Sequence, residues 1–590
     1  AKLNTNQKNN GKFMQSKKFI SQLFLENSQF ILVGLTGRTG SGCTTTANIL
    51  ESKNPNFPEP EHLNGFYKGL DITRYKIVKK YAEQHWNNFY SIKVSDLIST
   101  YILTLSPEHL SKFICSTSTQ KLDENLVYDK LKSGVFSNNR LRTNYKELIF
   151  NLLDHSKELH VSEKEASDFI RILTLIRKFT RDFKKELDEI SHGLYVSTYQ
   201  ASGNSIRKTG SVQNCYDKAE FDPTCVFNLP ETINRIIKMI RKVTKNKAYI
   251  VIDAIRNPYE AKFFKDRYAA FHLVSINAPD EHRSRYMQKL HKFSSDQIDT
   301  IEKIESGKAE GDFVAFTNQN VKKCIEISDI HLFNPKNEFD NNNILKAQIV
   351  WYVALMQHPG LIPPSSMERV MQVAYTMKMN SGCISRQVGA VVTDSHNSIK
   401  SVGWNDVAKG QVPCSMRSLN GLIEEFNPIT YSNYERNNQK FRIKANEKLI
   451  KIKEINAKSQ IFDGHNISYC FKDIHNSLDD KGNQVHTRAL HAEENAFLQL
   501  TKYGGSGVEG GILYTTASPC ELCAKKAYQL GIAEIVFIDP YPGIAQEHII
   551  NIGDNAPKLI QFRGAIGKAY HRLYEQIIPI KDELEHMIAL

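Results

Sequence analysis

The stretch FILVGLTGRTGSGCTTTAN, residues 30–48, joins an apolar run to a glycine-rich loop and then to a helix-like segment. The run FILVGLT predicts a buried strand, because it is short, continuous and apolar. Further along the chain, the strand-like AYIVIDAI, the helix-like YEAKFFKDRY and the strand-like FHLVSINA repeat this alternation. Strands that alternate with helices predict an α/β fold with a parallel sheet.

The glycine-rich loop has the spacing of the phosphate-binding motif G-x-x-x-x-G-K-[ST], except that a cysteine replaces the lysine. Glycines let backbone N–H groups approach an anion closely, and the dipole of the following helix favours negative charge at its N-terminus. We therefore predict a nucleotide-binding site at this loop, formed by Gly37, Arg38, Gly40, Ser41, Gly42, Cys43, Thr44 and Thr45.

Two residues are candidates for holding Mg²⁺ beside such a nucleotide, namely the Thr44 hydroxyl and Asp253 at the end of an apolar strand. The missing lysine matters because its ammonium group neutralises charge on the transferring phosphoryl group. We expect nucleotide binding, with or without Mg²⁺, and no efficient phosphoryl transfer. A loop that binds nothing and an active kinase remain alternatives. Arg38 and Lys208 are candidate replacement cations.

The first part of the chain resembles a known family through two further segments. Arg283 and Arg285 in HRSRY could cover phosphates as a lid, or could lie on a solvated helix face. Together with IDAIRNPYEAKFF, they make this part similar to the nucleotide and dephospho-coenzyme-A kinase group of P-loop proteins. The resemblance implies a P-loop NTPase-like parallel sheet.

Length and composition predict more than one domain, since 590 residues exceed the usual size of a single core. Residues 1–29 are basic and polar and predict a disordered tail. A P-loop domain is expected over 30–340, with a helical insertion at about 75–200. A second domain is expected over 345–590, with a polar insertion at about 410–485.

Charge and cysteine content restrict the class of protein. The net charge of +12 favours anionic partners such as nucleotides or nucleic acid. The chain has 10 scattered cysteines and neither a secretory signal nor a long apolar run. We therefore expect a cytoplasmic protein with reduced thiols and no membrane association.

Two short segments, HAEEN at 491–495 and SPCELC at 518–523, carry the strongest chemical signal. His491, Cys520 and Cys523 form a ligand set that suits Zn²⁺, and three protein ligands leave a fourth position for water. Glu493 is placed to handle that water's proton as a general acid and base. The pattern H-x-E…P-C-x-x-C predicts a zinc-dependent nucleobase deaminase. A structural zinc knuckle and a redox C-x-x-C are the alternatives.

The second domain resembles the deoxycytidylate deaminase branch of the cytidine deaminase superfamily. The resemblance rests on CISRQVGAVV (383–392), GWND (403–406), HAEENA (491–496) and YTTASPCELCAK (514–525). Ser385 and Trp404 depart from the family pattern. The resemblance implies a three-layer α/β/α domain that acts on dCMP or dCTP.

The same resemblance implies roles for three further residues. Asn405 is expected to contact the deoxyribose or base, or to be only a turn residue. Arg386 and Arg488 are cations that could meet the phosphate, or could form salt bridges. Cys414, Cys470, His475 and His486, all in or beside the insertion, are a conceivable second metal site or four unrelated residues.

The order of the two domains resembles that of the bacterial antiphage deoxycytidylate deaminases. This resemblance implies depletion of cytosine deoxynucleotides during infection, a homo-oligomer and regulation by a nucleotide bound at the P-loop. Two other functions remain open. One is deamination of cytosine or adenine in a polynucleotide, and the other is nucleotide sensing whose main output is binding of an inhibitory RNA or protein partner.

Overall fold

The computed structural model describes residues 18–118, 120–157, 162–306, 313–336, 341–479, 486–504, 507–539 and 544–588. The chain divides into two compact units. The first unit combines Ala1–Pro363 with Lys568–Leu590, and the second is Pro364–Gly567. The predicted mixed α/β class is confirmed, since helices surround β-strands in both units.

The first unit is built on a parallel sheet. Its strands are β1 (Phe30–Thr36), β2 (Tyr90–Lys93), β3 (Ala248–Asp253), β4 (Phe271–Asn277) and β5 (Ile330–Phe333). They are hydrogen-bonded in the order β5-β4-β1-β3-β2, and every pair is parallel. All residues of β1, β3 and β4 are buried, because a parallel sheet is covered by helices on both faces.

Helices make up most of the rest of the first unit, and many lie between β2 and β3, where the sequence predicts a helical insertion. The helices are Leu25–Gln29, Cys43–Glu51, Leu70–His85, Val94–Ile102, Pro107–Thr117, Glu124–Ser133, Arg140–Asn144, Lys146–Leu153, Glu163–Ile190, Leu194–Thr209, Asn228–Val243, Pro258–Arg267, Asp280–His291, Ser295–Glu305, Val314–Thr317, Val321–Glu326, Asn343–Gln357, Lys568–Tyr574 and Ile580–Ile588.

The predicted disordered tail is wrong for the part of it that the structure describes. Residues 1–17 lie outside the described residues, whereas 18–29 are almost entirely helical. Ile20 and Phe24 are buried, and the Phe24 ring stacks on His358 at 4.2 Å between centroids. The burial of these two apolar side chains outweighs the polar composition of the segment.

The boundary between the two units lies at residues 363 and 364, later than the expected 340–345. The last residues of the chain, Lys568–Leu590, also belong to the first unit. The helix Asn343–Gln357 is almost wholly buried in the first unit. The indole Nε1 of Trp351 donates to the hydroxyl of Tyr574 at 3.2 Å, and Gly360 N donates to the carbonyl of Leu573 at 2.9 Å. The first unit is therefore made from two separate stretches of chain.

The second unit contains a mixed sheet of β6 (Gly389–Thr393), β7 (Ile399–Trp404), β8 (Ile512–Ala517), β9 (Glu534–Asp539) and β10 (Lys558–Gln561). The order is β10-β9-β8-β6-β7. Strand β6 is antiparallel to β7 and to β8, and the remaining pairs are parallel. A two-residue strand, β11, follows at Gly564–Ala565.

Helices cover both faces of this second sheet. Ala390 and Val392 pack in one cluster with Ala492 and Ala496, whereas Val391 packs in another with Met371. Neighbouring residues of a strand point to opposite faces, so the helices Ala492–Tyr503 and Ser366–Met377 lie on opposite sides of β6. The unit thus has three layers, helix, sheet and helix. The helix Glu521–Gln529 follows β8.

The polar region at 410–485 has a small core of its own. It contains the helices Asn433–Asn437, Gln439–Ser459 and Phe471–Asp479. Their buried side chains form one cluster, which includes Leu422, Phe441 and Tyr469. Beside this cluster, Arg417 and Glu435 form a fully buried ion pair.

No helix among the described residues is long and apolar enough to cross a membrane.

Candidate functional site

The predicted metal ligands lie at the start of two helices in the second unit. His491 is the residue before the helix Ala492–Tyr503. Cys520 is the residue before the helix Glu521–Gln529, and Cys523 lies in its first turn. Strand β8 ends at Ala517, so the sheet fixes where the cysteine segment begins. The two elements thus bring one nitrogen and two sulfur ligands together.

The distances among these ligand atoms suit a single ion. Nδ1 of His491 lies 3.2 Å from Sγ of Cys520 and 3.4 Å from Sγ of Cys523. All three ligand atoms lie within 4.8 Å of one another. Zinc bonds of about 2.0 Å to nitrogen and 2.3 Å to sulfur place tetrahedral ligands at separations of this size. The residues present therefore fit a zinc ion.

The two thiols differ in acidity before any metal is considered. A hydrogen bond from Cys523 lowers the pKa of Cys520 to about 3, and the same interaction raises the pKa of Cys523. One sulfur is therefore a thiolate at neutral pH, which is the form that binds metal. The hydrogen bond to Cys520 also raises the pKa of His491.

Glu493 lies in the first turn of the helix that follows His491 and is 4% exposed. Burial raises the pKa of its carboxyl group. Its Oε1 lies 3.1 Å from the hydroxyl of Thr515 on β8, and that hydroxyl also lies 2.7 Å from the carbonyl oxygen of Ala517. The carboxyl group therefore has one polar neighbour that can either donate to it or accept from it.

A glycine on β7 lets the Glu493 helix approach the sheet. A Cβ at Gly403 would lie 2.3 Å from the carbonyl oxygen of Ala492 and 2.5 Å from the nitrogen of Ala496. Asn495 Nδ2 donates to the carbonyl of Trp404 at 3.0 Å and ties the same helix to the strand. The position of Glu493 therefore depends on the absence of a side chain at residue 403.

Asn405 is 8% exposed and has two backbone partners. Its Oδ1 accepts from Val388 N at 2.6 Å, and its Nδ2 donates to the carbonyl of Arg386 at 2.7 Å. These bonds hold the segment before β6 against the end of β7. The predicted contact with substrate would add to this structural role, and it stays a prediction.

The two arginines predicted to meet phosphate have different surroundings. Arg386 forms an ion pair with the buried carboxylate of Asp539. Arg488 is partly exposed and makes long contacts of 3.4 Å with the carbonyl of Val412 and with Oε1 of Gln411. Arg386 therefore matches the salt-bridge alternative, and Arg488 has more freedom to turn toward a ligand.

The second conceivable metal site is not assembled in the described part of the chain. Cys414 and Cys470 both line a small cavity of about 20 Å³, while the ring centroids of His475 and His486 lie 4.1 Å apart with the ring planes tilted by 38°. Within the described ranges, the only group of three or more ligands close enough for one ion is His491, Cys520 and Cys523.

The glycine-rich loop of the first unit lies beside a cavity of about 520 Å³. Gly40 and Gly42 have φ values of 83° and 116°, which side chains rarely permit. Of the predicted residues, those that line the cavity are Arg38, Gly40, Gly42, Cys43, Thr44, Thr45 and Asp253, whereas Gly37 and Ser41 do not. The hydroxyl of Thr44 donates to Oδ2 of Asp253 at 3.0 Å, so the two predicted magnesium ligands are together.

The predicted lid arginines are not over this cavity. Arg283 is almost fully buried and pairs with Glu302. It donates to the carbonyl of Thr39 at 3.2 Å and so holds the glycine-rich loop in place instead of covering the cavity. Arg285 is exposed and pairs with Glu281 on the same helix. Arg285 therefore matches the alternative of a solvated helix face.

A family model described as the cytidine and deoxycytidylate deaminase zinc-binding region matches residues 364–539. Among curated proteins, deoxycytidylate deaminase of Enterobacteria phage T2 is 28% identical over 172 residues, 29% of this chain and 79% of the phage protein. The phage T4 protein of the same name is 28% identical over 182 residues, 29% of this chain and 77% of that protein. ComE operon protein 2 of Bacillus subtilis is 39% identical over 54 residues, 9% of this chain and 28% of that protein.

Solved structures of a dCMP deaminase from the cyanophage S-TIM5 also match. The apo form is 18% identical, and the match covers 34% of this chain and 100% of the phage chain with a TM-score of 0.19. The complex with dCMP and dUMP is 19% identical, and the match covers 34% of this chain and 99% of the phage chain with a TM-score of 0.21.

The matched segment contains every residue of the metal cluster together with Glu493 and Thr515. The family matches and the ligand geometry together identify a zinc-dependent deaminase domain, a hydrolase, in the second unit. The matched segment does not include the glycine-rich loop of the first unit.

Proposed function

We propose that the second unit deaminates free cytosine deoxynucleotides, converting dCMP to dUMP and ammonia with consumption of one water molecule. The observation that carries this proposal is the convergence of His491, Cys520 and Cys523 next to the buried carboxyl of Glu493. The 28% identity to two phage deoxycytidylate deaminases supports a deoxynucleotide monophosphate as the substrate.

The chain's own residues supply the acid–base chemistry of this reaction. When bound, zinc supplies Lewis acidity that makes a water molecule easier to deprotonate. Glu493 takes up that proton and delivers it to the ring nitrogen of cytosine. It then transfers the second proton of the same water oxygen, now bonded to the ring carbon, to the amino group, which leaves as ammonia. A raised pKa suits this task, because the carboxyl group must hold a proton and release it near neutral pH.

Thr515 is a positioning residue for this shuttle. Its hydroxyl has a single proton, which can be given to ionised Glu493 or to the carbonyl of Ala517. When Glu493 is protonated, the hydroxyl accepts from Glu493 and donates to Ala517. Both protonation states of Glu493 thus keep a hydrogen bond to Thr515.

Substrate contacts are proposed for three residues. Asn405, at the end of β7, contacts the sugar or base, and Arg488 meets the phosphate because it has no short ion pair among the described residues. Arg386 shapes the site through its ion pair with Asp539. The same proposal includes four further points. The protein accepts dCTP as well as dCMP, forms a homo-oligomer, is located in the cytoplasm, and depletes the dC nucleotide pool in antiphage defence.

The first unit is proposed to bind a regulatory nucleotide at residues 37–45. The cavity beside the loop and the adjacent Thr44 and Asp253 support this part of the proposal. An inhibitory RNA or protein partner would add a second level of control. Nothing in the described residues favours a polynucleotide substrate over a free nucleotide.

The proposal is tested by a product assay with purified full-length protein. We expect uracil nucleotide and ammonia from dCMP or dCTP, little product from CMP or CTP, and a rate that changes when ATP or GTP is added. Single-stranded DNA added in excess should not compete with dCMP. Efficient deamination of the DNA with no reaction on dCMP would instead identify a polynucleotide deaminase.

A further inference from the structure

The loop at residues 37–45 lacks its own lysine, so a phosphate ligand would need a cation from elsewhere in the chain. Five cationic side chains line the adjacent cavity, namely Arg38, Lys184, Arg207, Arg256 and Lys336. Among the lining residues that the structure describes, only Asp253 is a carboxylate. This excess of positive charge favours an anionic ligand.

Three of these cations are already neutralised by neighbouring carboxylates. Arg38 pairs with Asp280 and Glu302, Arg207 pairs with Glu260, and Arg256 pairs with Glu305. Lys208, one of the two replacement cations considered from sequence, does not line the cavity and donates instead to the carbonyl of Asp217 at 2.6 Å. The two lysines at the cavity therefore remain as candidates.

The two lysines occupy different positions. Lys184 lies over the ring of Tyr199, 4.9 Å from its centroid. Lys336 lies at the glycine-rich loop, because its Nζ is 3.6 Å from the point where a Cβ of Gly42 would be. No carboxylate of the described residues forms an ion pair with Lys336, and its charged end packs 4.0 Å from the ring centroid of Tyr286.

The segment that carries Lys336 is bonded to the loop and to two neighbouring segments. Asn334 donates through Nδ2 to the carbonyl of Ser41 at 2.8 Å and through its backbone N to the carbonyl of Asn277 at 2.7 Å. The carbonyl of Pro335 lies 2.6 Å from Nδ1 of His282. Residues 334–336 thus reach the loop, and Lys336 lines the cavity.

The cavity lining also contains a buried polar atom that has no hydrogen-bond partner among the described residues. Gln319 lines it and is 7% exposed, and its Oε1 accepts no hydrogen bond from any described residue. A buried amide oxygen without a partner is costly, so a ligand or a bound water is expected to donate to it. The volume of about 520 Å³ is in the range of small-molecule sites.

We propose that Lys336 supplies the positive charge that is missing at Cys43, so that the loop and this lysine together hold the polyphosphate of a nucleotide. Phosphate oxygens at the N-terminus of the helix Cys43–Glu51 would lie between the backbone N–H groups of the loop and the ammonium group. Burial lowers the pKa of Lys336, and an anionic ligand would counteract that effect. This inference rests on the proposed nucleotide binding and adds the residue that makes it possible.

The test measures binding of ATP with Mg²⁺, and of inorganic tripolyphosphate, to the full-length protein by calorimetry. Lys336→Met removes the charge but keeps an apolar stem over Tyr286, and we expect both ligands to bind about 10- to 100-fold more weakly. Lys336→Arg should retain most of the affinity. Lys208→Met is the matched control, since it removes a charge from the same unit away from the cavity, and it should bind as the wild type does.

The decisive variant is the double substitution Cys43→Lys with Lys336→Met, which returns the charge to the loop and should restore binding. Restoration also excludes misfolding as the cause of the loss. Unchanged affinity in Lys336→Met, or no restoration in the double variant, would overturn the role of Lys336 while nucleotide binding stands. Wild-type protein that binds neither ligand at millimolar concentration would overturn both. These readouts do not depend on deaminase turnover.

Discussion

Thr515 and Glu493 are hydrogen-bonded across two elements of the second unit, at 3.1 Å between the hydroxyl and the carboxyl oxygen. The strand β8 contributes the hydroxyl, and the helix that starts after His491 contributes the carboxyl group. Both side chains are buried, and the Thr515 hydroxyl also lies 2.7 Å from the carbonyl oxygen of Ala517. The proposed proton shuttle therefore includes a group on the sheet as well as one on the helix.

Replacing Thr515 with valine should slow deamination. Valine has the same shape but no hydroxyl, so buried Glu493 would lose its partner in both protonation states. A lost hydrogen bond of about 1–1.5 kcal/mol corresponds to about a tenfold decrease in kcat. Thr515→Ser keeps the hydroxyl and serves as the control in steady-state kinetics with dCMP. Equal kcat values for the valine and serine variants would contradict the positioning role.

Replacing Glu493 with glutamine should abolish most turnover and leave the metal in place. Glutamine is isosteric but cannot take up and return a proton, and general acid–base groups contribute about 10²–10⁴-fold to rate. Zinc content measured by elemental analysis should equal that of the wild type. If the variant deaminates dCMP at the wild-type rate, Glu493 is not the proton shuttle.

Replacing Cys520 with serine should remove zinc and activity together. Serine is a much weaker ligand for this ion, and only two of the three converging donors would remain. Cys414→Ser is the matched control, because Cys414 lies outside the ligand group. We expect full zinc content in the control and little in Cys520→Ser. Equal zinc in both variants would place the metal elsewhere.

Acid should destabilise the first unit through His272 on β4. Burial lowers the pKa of this histidine from 6.5 to about 4, with Arg572 and Lys265 acting in the same direction and Asp329 opposing. Between those two values the unfolded chain binds a proton that the folded chain excludes, so stability falls as the pH drops. The full effect is about 3 kcal/mol.

This pH dependence is measured by urea unfolding between about pH 7 and 4. His272→Leu should flatten the decrease, because leucine does not titrate. His62→Leu, at an exposed position of the same unit, should leave the decrease unchanged. The same slope in all three proteins would show that His272 does not control acid stability.

Breaking the buried ion pair in the 410–485 region should be strongly destabilising. Arg417 and Glu435 are both fully buried, and Tyr469 donates to Glu435 at 2.8 Å. Arg417→Met would leave the Glu435 carboxylate with no cation, at a cost of about 3–5 kcal/mol. Arg417→Met combined with Glu435→Leu removes both charges and should recover part of this loss. Denaturant unfolding of both variants measures the difference.

The metal cluster could be predicted from sequence because its signals are local. His491 and Glu493 are two residues apart, Cys520 and Cys523 are three apart, and each pair sits where a helix begins. Such spacings fix the direction of side chains almost independently of the rest of the fold. The positive-φ glycines of the first loop were predictable for the same reason.

Other parts of the two sites could not be predicted, since they depend on contacts between distant segments. Asn334 bonds to Ser41 across 293 positions, and nothing near residue 336 indicates that its lysine returns to the loop. Thr515 stands beside a second threonine, Thr516, in the strand ILYTTA, so its contact with Glu493 follows only from how helix and sheet pack. The buried Arg417 likewise looks like any charged residue of a polar region.

Residues 568–588 follow the deaminase segment in the chain but belong to the first unit, so truncating the chain before them removes part of that unit. A stop codon placed after residue 567 would also delete Tyr574 and Leu573, which bond to Trp351 and Gly360. Proteolytic cleavage near residue 567 would likewise separate the C-terminal residues of the first unit from the rest of that unit. Fragments intended to isolate the first unit should therefore join residues 363 and 568 through a short linker.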